Sequence, residues 1–376
     1  IAHYASHTEY KPGPSFISSK PHTGINHKEY GVTSLGVNVY MHEVLLYLGI
    51  DPEKESFTVK ISGGPDGDVA GNQMLNLRKY YKETAKLLAI TDVSGTIYDP
   101  EGLDLDTLAE LFHKVEPLRH YPPELLHDNG FLLDTFTKRE ESKYSQQTLC
   151  WKKIDGKLIQ DWISGNEMNH ILRHNLHQTI TDIFIPAGGR PRTLNENNYE
   201  DFLDETGKPT SRAIVEAANL YLTREARYAL EEKGVIIIKD SSANKGGVIC
   251  SSCEVLTGLT MSEEEFLNSK EELMSEILDF IREKARQEAR LILKTHDETF
   301  ESLINISDEI SHNINEYTYQ VLDYLKKIKL PSDPKDPMNQ ALFNYLIPSI
   351  RNEFPHRALE NIPPIHKKAI IACYLA

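Results

Sequence analysis

The stretch Phe57-Thr-Val-Lys-Ile-Ser-Gly-Gly-Pro-Asp-Gly-Asp-Val-Ala-Gly71 decides the fold of this chain. Its first residues, 57–61, predict a buried strand, which runs into a glycine-rich turn and then into a helix. Glycines suit such a turn because a Cβ would hold the backbone away from a pyrophosphate. The N–H groups in the first turn of the following helix are free to bind anions. The stretch therefore predicts a phosphate-binding loop of a dinucleotide fold.

A second strand and the residue that ends it support this interpretation. Residues 86–91 predict a strand, and Asp92 follows it about 25 residues after Gly67, close to the usual place of a ribose-binding acid. When the turn is fitted to the pattern G-x-G-x-x-G/A, Gly67 is the glycine that lets the backbone approach the pyrophosphate. Ala70 then takes the last position, where a small residue lets the helix pack closely against the strand. The preceding residues, 63–66, then form a longer turn than the pattern requires.

The composition excludes several classes of function. The chain has 376 residues, 40% of them hydrophobic, so it is long enough for two or three domains with buried cores. Its 41 basic and 56 acidic residues give a net charge of −15 without a basic run, which argues against nucleic-acid binding. Four cysteines make no disulfide framework, and Cys250-Ser-Ser-Cys253 lacks the second pair that a structural metal needs. No apolar segment is long enough to span a membrane, so we expect a cytoplasmic protein that acts on small molecules.

Strand-like and helical segments alternate along the first two thirds of the chain. This alternation predicts an α/β fold, namely a Rossmann-like, doubly wound and mostly parallel sheet. The predicted strands are 57–61, 86–91, 182–186, 213–217 and 235–239, and the intervening helices include 72–83, 104–115 and 223–233.

Other segments fall outside this alternation. Residues 117–180 are too long for a simple connection and predict an insertion, with a hairpin around Asp155-Gly156. Thr33 and Ser34 predict the caps of an earlier helix that Gly49 ends. After Gly258 the spacing of Leu, Ile and charged residues predicts a helical C-terminal region.

Polar or small residues follow three of the predicted strands. The turns concerned are Ile185–Gly189, Glu216–Asn219 and Asp240–Gly247. Because an open α/β sheet binds its ligand at the carboxyl ends of its strands, we expect these turns to line one cleft with the glycine-rich turn. Asn219 and Asn244 are equally able to cap helices or stabilise turns.

Several motifs, in this order along the chain, resemble the cofactor domain of glutamate dehydrogenases, most of all the large NAD-specific subunits. The resemblance covers about residues 15–260. The motifs are Lys28-Glu-Tyr-Gly-Val-Thr-Ser-Leu-Gly36, the glycine-rich turn, Ile90-Thr-Asp-Val-Ser-Gly-Thr-Ile-Tyr-Asp-Pro-Glu-Gly102, Asp182-Ile-Phe-Ile-Pro-Ala-Gly-Gly189, Glu216-Ala-Ala-Asn219 and Asn244-Lys-Gly-Gly-Val248.

The resemblance implies a role for each matching residue in binding NAD or glutamate. Thr33 would hold the nicotinamide amide, Asp92 the adenosine ribose, and Ser251 the distal carboxylate of glutamate. A carboxylate at Asp92 would also repel the 2′-phosphate of NADP, so NAD is the expected cofactor. The remaining expected cofactor-binding residues are Gly64, Gly67, Asp68 and Val69 at the pyrophosphate, Ala187 and Gly188 beside the cofactor, and Asn219 and Asn244 near the nicotinamide and substrate.

The implied reaction is the oxidative deamination of L-glutamate to 2-oxoglutarate and ammonia, in an enzyme that is a homo-oligomer. In the family a lysine of lowered pKa and an aspartate perform the chemistry, and both lie in an N-terminal substrate domain. Only Ser18-Ser-Lys-Pro21 resembles the end of that domain. We therefore expect residues 1–30 to be its remnant, 31–260 to bind NAD and 261–376 to be the helical region.

The chain starts at Ile1 and stops inside an apolar run, which predicts an internal piece of a longer polypeptide. Such a piece is expected to bind NAD but not to turn over glutamate alone. Two alternatives remain at this point. One is another amino-acid dehydrogenase of the same superfamily, acting on leucine or phenylalanine; the other is a regulatory module that senses NAD without hydride transfer.

Overall fold

A nine-stranded sheet dominates the computed structural model, which describes residues 12–20, 24–142 and 145–376. The strands stand side by side in the order β6-β5-β4-β3-β2-β1-β7-β8-β9. In chain order they are β1 Phe57–Ser62, β2 Ala85–Thr91, β3 Gly95–Tyr98, β4 Phe131–Ser142, β5 Ser145–Ile154, β6 Lys157–Ser164, β7 Thr181–Pro186, β8 Ser211–Val215 and β9 Ile236–Ile238.

The five strands predicted from the sequence form the parallel part of this sheet. β1 pairs in parallel with β2 on one side and with β7 on the other, and β8 and β9 continue from β7. The chain thus leaves β1 in one direction and returns to its other side, which opens a crevice where the strand order reverses. The prediction of a doubly wound α/β sheet is confirmed.

Helices connect the strands and form most of the C-terminal part of the chain. In chain order they are α1 His27–Tyr30, α2 Val32–Tyr47, α3 Asp68–Tyr81, α4 Leu105–Lys114, α5 Gly165–Gln178, α6 Arg224–Glu231, α7 Asp240–Ala243, α8 Gly246–Thr260, α9 Glu263–Thr299, α10 Leu303–Lys326, α11 Pro337–Tyr345, α12 Pro348–Glu353, α13 Pro355–Asn361 and α14 Pro364–Leu375. None of the helices within the described residues is long and apolar enough to cross a membrane.

The predicted insertion extends the same sheet. β3, which precedes the insertion, pairs antiparallel with β2, and the insertion strands β4, β5 and β6 pair antiparallel in succession from β3. The predicted hairpin is confirmed: Asp155 and Gly156 join β5 to β6 with φ angles of 50° and 72°. Two positive φ angles match the twist of a tight two-residue turn. Helix α5 follows β6 and leads back to β7.

The prediction that Thr33 and Ser34 cap a helix is wrong. The short helix α1 is capped by Asn26 instead, and Gly31, at φ 59°, turns the chain directly into α2. Thr33 and Ser34 therefore lie inside the first turn of α2. The Ser34 hydroxyl donates to the carbonyl oxygen of Val69 at 2.9 Å.

The chain separates into two compact units. The sheet unit contains Thr33–Lys245 and Ala285–Ile304. The helical unit contains Gly246–Lys284, Asn305–Ala376 and the described residues up to Val32; residues 1–11 and 21–23 of the predicted entry segment lie outside the description. Within the helical unit Leu273, Ile277 and Ile281 are fully buried, as their spacing predicts.

Candidate functional site

The glycine-rich turn begins directly after β1, at the carboxyl end of the strand. Gly63 has φ 104°, and a Cβ built on it would lie 2.8 Å from the Ala70 Cβ and 3.1 Å from the Gly188 nitrogen. Gly67 is the N-cap residue of α3 and has extended backbone angles. Asp68 is exposed and Val69 partly buried in the first helical turn. The N–H groups of Gly63 and Gly67 donate to the carbonyl oxygens of Thr91 at 2.7 Å and of Gly64 at 3.0 Å. The N–H groups that suit an anion are therefore those of the first turn of α3, which have no partner within the helix.

One of two packing positions beside this turn lies outside the sequence pattern. Ala70 packs against Gly63, as its pattern position predicts. Gly71 is equally constrained, because a Cβ there would lie 2.5 Å from the ring of Phe112 and would overlap the carbonyl oxygen of Pro65. The close approach of α3 to α4 thus depends on Gly71, which the pattern does not include.

Asp92 lies directly against the glycine-rich turn. A Cβ on Gly64 would overlap its Oδ2 atom, so the two residues are in contact across the end of the sheet. Its Oδ1 accepts hydrogen bonds from the Ser94 nitrogen at 2.7 Å, the Ser94 hydroxyl at 2.7 Å and the Gly95 nitrogen at 3.0 Å. Its Oδ2 accepts one, from the Leu118 nitrogen at 3.0 Å. Burial raises the pKa of Asp92, although these hydrogen bonds act in the opposite direction.

The turn after β7 is fixed to the turn after β1. The Ala187 nitrogen donates to the Ser62 carbonyl at 3.0 Å, and the Ser62 hydroxyl donates to the Gly188 carbonyl at 2.6 Å. A Cβ on Gly188 would lie 2.8 Å from the Cα of Gly63. Only residues without side chains allow the two backbones to approach so closely.

These elements line a cleft of about 710 Å³ at the carboxyl ends of the strands. The glycine-rich turn and Asp92 form one wall. The opposite wall was not foreseen from the sequence: it includes Leu172 and Leu176 of α5, and Tyr221. Because the two leucines are four residues apart, the sequence predicts that they share one face of a helix. It does not predict that this face borders the cleft. The cleft therefore combines a glycine-rich backbone loop with a wall on which these apolar side chains stand beside Arg173 and His177 of α5.

The turns after β8 and β9 meet through two asparagines. The Asn244 amide nitrogen donates to Asn219 Oδ1 at 2.6 Å and to the Ala217 carbonyl at 3.1 Å. Asn219 is exposed, whereas Asn244 is partly buried. The structure thus brings together two polar side chains that lie 25 positions apart in the sequence.

A buried ionic network beneath these turns was missed by the sequence analysis. Arg227 donates to Glu216 through Nε at 2.6 Å and Nη2 at 2.9 Å, and Nη2 also reaches Asp240 Oδ1 at 3.1 Å. Asp240 Oδ2 accepts from the Leu220 nitrogen at 2.8 Å. Burial raises the pKa of Glu216 to about 7, even though Arg227 lowers it. The network fixes both asparagine-bearing turns from below, since Glu216 and Asp240 each begin one of them.

The remaining predicted residues occupy separate positions. Thr33 is partly buried on α2, one residue before Ser34, which contacts α3. Ser251 is partly buried on α8 and belongs to the helical unit. Cys250 and Cys253 are buried free thiols on the same helix. Among residues 12–20, 24–142 and 145–376, no group of three or more potential ligands could hold a metal ion.

A dinucleotide-binding fold is the class that this sheet and cleft define, and sequence comparisons assign the family. The profile of the glutamate/leucine/phenylalanine/valine dehydrogenases matches residues 24–308. The chain therefore belongs to the glutamate/leucine/phenylalanine/valine dehydrogenase family.

Individual relatives match nearly the whole chain. The NAD-specific glutamate dehydrogenase of Saccharomyces cerevisiae is 32% identical over 390 residues, covering 96% of this chain and 33% of the relative. Glutamate dehydrogenase 2 of Dictyostelium discoideum is 31% identical, covering 94% of this chain and 32% of the relative. The chain thus spans about a third of the length of these relatives. The crystal structure of Plasmodium falciparum glutamate dehydrogenase aligns over 77% of this chain and 52% of its own, with 17% identity and a TM-score of 0.45.

Proposed function

We propose that this chain is the cofactor-binding part of an NAD-dependent glutamate dehydrogenase, which converts L-glutamate to 2-oxoglutarate and ammonia. The contact of Asp92 with Gly64 at the cleft carries the proposal, together with the family membership. Residues 31–260, with the insertion at about 117–180, form the NAD-binding domain in this proposal. Residues 1–30 end the substrate domain, and 261–376 form the C-terminal helical region.

The cleft fits the adenosine half of NAD. The pyrophosphate would lie on the backbone of Gly64 and of the α3 N-terminus, Gly67 to Val69, beside Ala187 and Gly188. Asp92 Oδ2 accepts only one hydrogen bond from the described residues, so it retains capacity for a ribose hydroxyl. The same negative charge would oppose the 2′-phosphate of NADP. NAD is therefore the cofactor we assign.

The nicotinamide half is assigned to the turns after β8 and β9. Asn219 and Asn244 would face the nicotinamide and the substrate, held in place by their mutual hydrogen bond. Thr33 would hold the nicotinamide amide, and Ser251 the distal carboxylate of glutamate. When bound, NAD supplies the hydride acceptor for the reaction. The complete enzyme is expected to be a cytoplasmic homo-oligomer.

A titration of the chain with NAD and NADP tests this assignment. Isothermal titration calorimetry should show NAD binding and a much weaker response to NADP. In Asp92→Ala the affinity for NAD should fall by at least about tenfold, because the ribose loses a charged hydrogen-bond acceptor. Asp92→Asn should retain much of the local turn and reduce the preference for NAD over NADP.

Asp279→Ala provides the matched control, since it removes an exposed carboxylate from α9 of the helical unit. It should leave both titrations unchanged. Equal binding of NAD by the parent protein and by Asp92→Ala would refute the ribose assignment.

The family also contains dehydrogenases of leucine, phenylalanine and valine. The side chain of the substrate is therefore the part of the proposal that needs its own test. A polypeptide that contains both this chain and the substrate domain should be assayed for turnover of glutamate, leucine, phenylalanine and valine. Preference for an apolar amino acid would exclude glutamate as the substrate, and NAD binding without turnover of any of them would favour a regulatory module.

A further inference from the structure

The chain joins helices α7 and α8 through a link of only two residues. Helix α7 ends at Ala243 and α8 begins at Gly246, so Asn244 and Lys245 form this α7–α8 link. The Asn244 side chain donates to the turn after β8. The Lys245 amine donates to both oxygens of the Glu288 carboxylate on α9, at 2.7 and 2.8 Å. Each residue of the link is thus fixed through its own side chain.

The Lys245–Glu288 pair is partly shielded from water. The two side chains expose 35% and 19% of their surface. Water screens fully exposed ion pairs, whereas a shielded pair with two charged hydrogen bonds fixes the geometry of both partners. Burial raises the pKa of the Tyr40 hydroxyl on α2, and the negative charge of Glu288 raises it further. The Glu288 carboxylate therefore lies close to α2 as well as to the α7–α8 link.

A second ion cluster fixes the same part of α9 to α2. Glu43 of α2 is buried, with 6% of its side chain exposed. One of its oxygens accepts a hydrogen bond from Arg290 Nε at 2.9 Å, and Arg286 Nε lies 3.5 Å from the other. These residues all belong to the sheet unit, as α9 does from Ala285 onwards. This part of α9 therefore supports the α7–α8 link and is itself anchored on the helix that carries Thr33.

The α7–α8 link sets the position of an amide oxygen that remains available to a ligand. The Asn244 amide nitrogen makes two hydrogen bonds, to Asn219 Oδ1 and to the Ala217 carbonyl. Asn244 Oδ1 accepts no hydrogen bond from any residue that the structure describes. It can therefore accept one from a donor on the nicotinamide half of NAD. Its position depends on a link whose other residue is fixed only by Glu288 through its side chain.

We propose that Lys245 and Glu288 are positioning residues for the nicotinamide half of NAD. Their ion pair fixes the α7–α8 link so that Asn244 presents Oδ1 to the cofactor, and the pair itself touches no ligand. Support of this kind matters because a misplaced polar group loses most of its hydrogen bond and of its effect on the reaction. The inference rests on the proposed binding of NAD, with the nicotinamide at the turns after β8 and β9.

Calorimetric titration of the 376-residue chain with NAD and with ADP-ribose, which lacks the nicotinamide, tests the proposal. The parent protein should bind NAD more tightly than ADP-ribose. In Lys245→Met the affinity for NAD should fall at least about fivefold, because Asn244 Oδ1 is no longer held in place for its hydrogen bond. The affinity for ADP-ribose should stay unchanged, which also shows that the variant is folded.

Further variants separate a positioning role from general packing. Lys245→Arg keeps a cation that can donate twice to a carboxylate, so it should retain most of the affinity for NAD. The double variant Lys245→Met/Glu288→Gln should lose no more than Lys245→Met alone, because the two residues act as one pair. Lys294→Met is the matched control on α9, since Lys294 forms an exposed pair with Glu298 at 3.6 Å. It should leave both titrations unchanged.

The fluorescence of bound NADH gives a reading at the nicotinamide itself. Binding to the parent protein should change the intensity of the dihydronicotinamide emission, because the ring leaves water for a fixed site. At saturating NADH this change should be smaller in Lys245→Met, whereas Lys294→Met should match the parent protein. A loss of stability alone would leave the emission of the bound, folded fraction as it is in the parent.

Three results would overturn this inference and leave the adenosine half of the site intact. Equal affinity of the parent protein for NAD and ADP-ribose would show that this chain does not hold the nicotinamide. An equal loss of both ligands in Lys245→Met would make the ion pair a general support of the fold. Unchanged NAD affinity in Lys245→Met would separate the pair from the cofactor. If neither ligand bound to the parent protein, the proposed function would fail and this inference with it.

Discussion

At the scale of single residues, the cleft depends on two glycines that allow close approach and on one carboxylate. Gly63 and Gly188 bring the turns after β1 and β7 into contact, and Gly64 leaves room for the Asp92 side chain. Asp92 itself is oriented by hydrogen bonds from its own turn and from Leu118 in the insertion. The ribose-binding carboxylate that we propose is thus held by its own turn and by one residue 26 positions away in the sequence.

Gly64→Ala should weaken NAD binding without unfolding the protein. The added Cβ would overlap Asp92 Oδ2 and lie 2.7 Å from Asp66 Oδ1, so both carboxylates must move away. Calorimetry should show at least about a tenfold loss of NAD affinity, since a misplaced charged hydrogen bond costs 1.4 kcal/mol or more. Gly165→Ala, where the Cβ meets open space, is the matched control and should bind normally. Normal binding by Gly64→Ala would argue against the Asp92 contact.

Arg227→Met should destabilise the protein strongly. Glu216 and Asp240 would then face each other in the interior without their shared cation. Removing one partner of a buried ion network costs about 3–5 kcal/mol. Arg78→Met, which breaks an exposed pair with Asp106, should cost no more than about 1 kcal/mol. Urea denaturation measures both, and equal losses in the two variants would contradict a structural role for the network.

At the scale of elements, a buried lysine on β1 helps to fix the sheet against α5. Lys60 lies in the middle of β1 and is fully buried. Its amine donates to the Thr179 carbonyl at 2.7 Å, beyond the end of α5, and to the Thr210 hydroxyl at 2.8 Å, before β8. It also lies 4.3 Å from the centre of the Phe202 ring. Since α5 supplies one wall of the cleft, this amine helps to place the wall against the sheet.

Lys60→Met should change how stability depends on pH. Burial lowers the pKa of Lys60 well below its ordinary value, while the unfolded chain retains that ordinary value. Between the two values the unfolded state binds one proton more, so this group makes the folded protein more stable as pH rises and less stable as it falls. Urea titrations from about pH 7 to pH 9 give the free energy of unfolding at each pH. Plotted against pH, this free energy should rise less steeply in Lys60→Met than in the parent protein, by up to about 1.4 kcal/mol per pH unit.

Lys86→Met is the matched control on the neighbouring strand, because Lys86 is exposed. Its stability should follow the same pH dependence as the parent protein. If the free energy of unfolding depends on pH in the same way in Lys60→Met and in the parent protein, Lys60 stays protonated in the folded state.

At the scale of the whole molecule, the chain combines a dinucleotide fold with a helical unit and spans about a third of its relatives. The family resemblance assigns the catalytic lysine and aspartate to motifs that we do not find in these 376 residues. The sheet unit contains the proposed NAD cleft, and the helical unit contains Ser251. We therefore expect cofactor binding and catalysis to be separable properties of the polypeptide.

The 376-residue chain should bind NAD but produce no NADH when L-glutamate is added. Binding is expected from the cleft, and turnover is not, because the resemblance assigns the proton-transferring residues to motifs that we do not find in this sequence. Calorimetry with NAD and the absorbance of NADH measure the two properties separately. NADH formation dependent on glutamate would show that this chain contains its own catalytic lysine.

The sequence by itself determined the features that depend on local pattern. Apolar runs between helical segments predicted all five parallel strands, and Asp155-Gly156 predicted the hairpin, since strand periodicity and positive φ angles are properties of short stretches. The ordered motifs likewise identified the family. Only the tertiary structure decided which distant residues touch. Asp92 meets Gly64, Arg227 joins Glu216 to Asp240, and the insertion continues the sheet, because such contacts follow from how the elements pack and not from residue spacing.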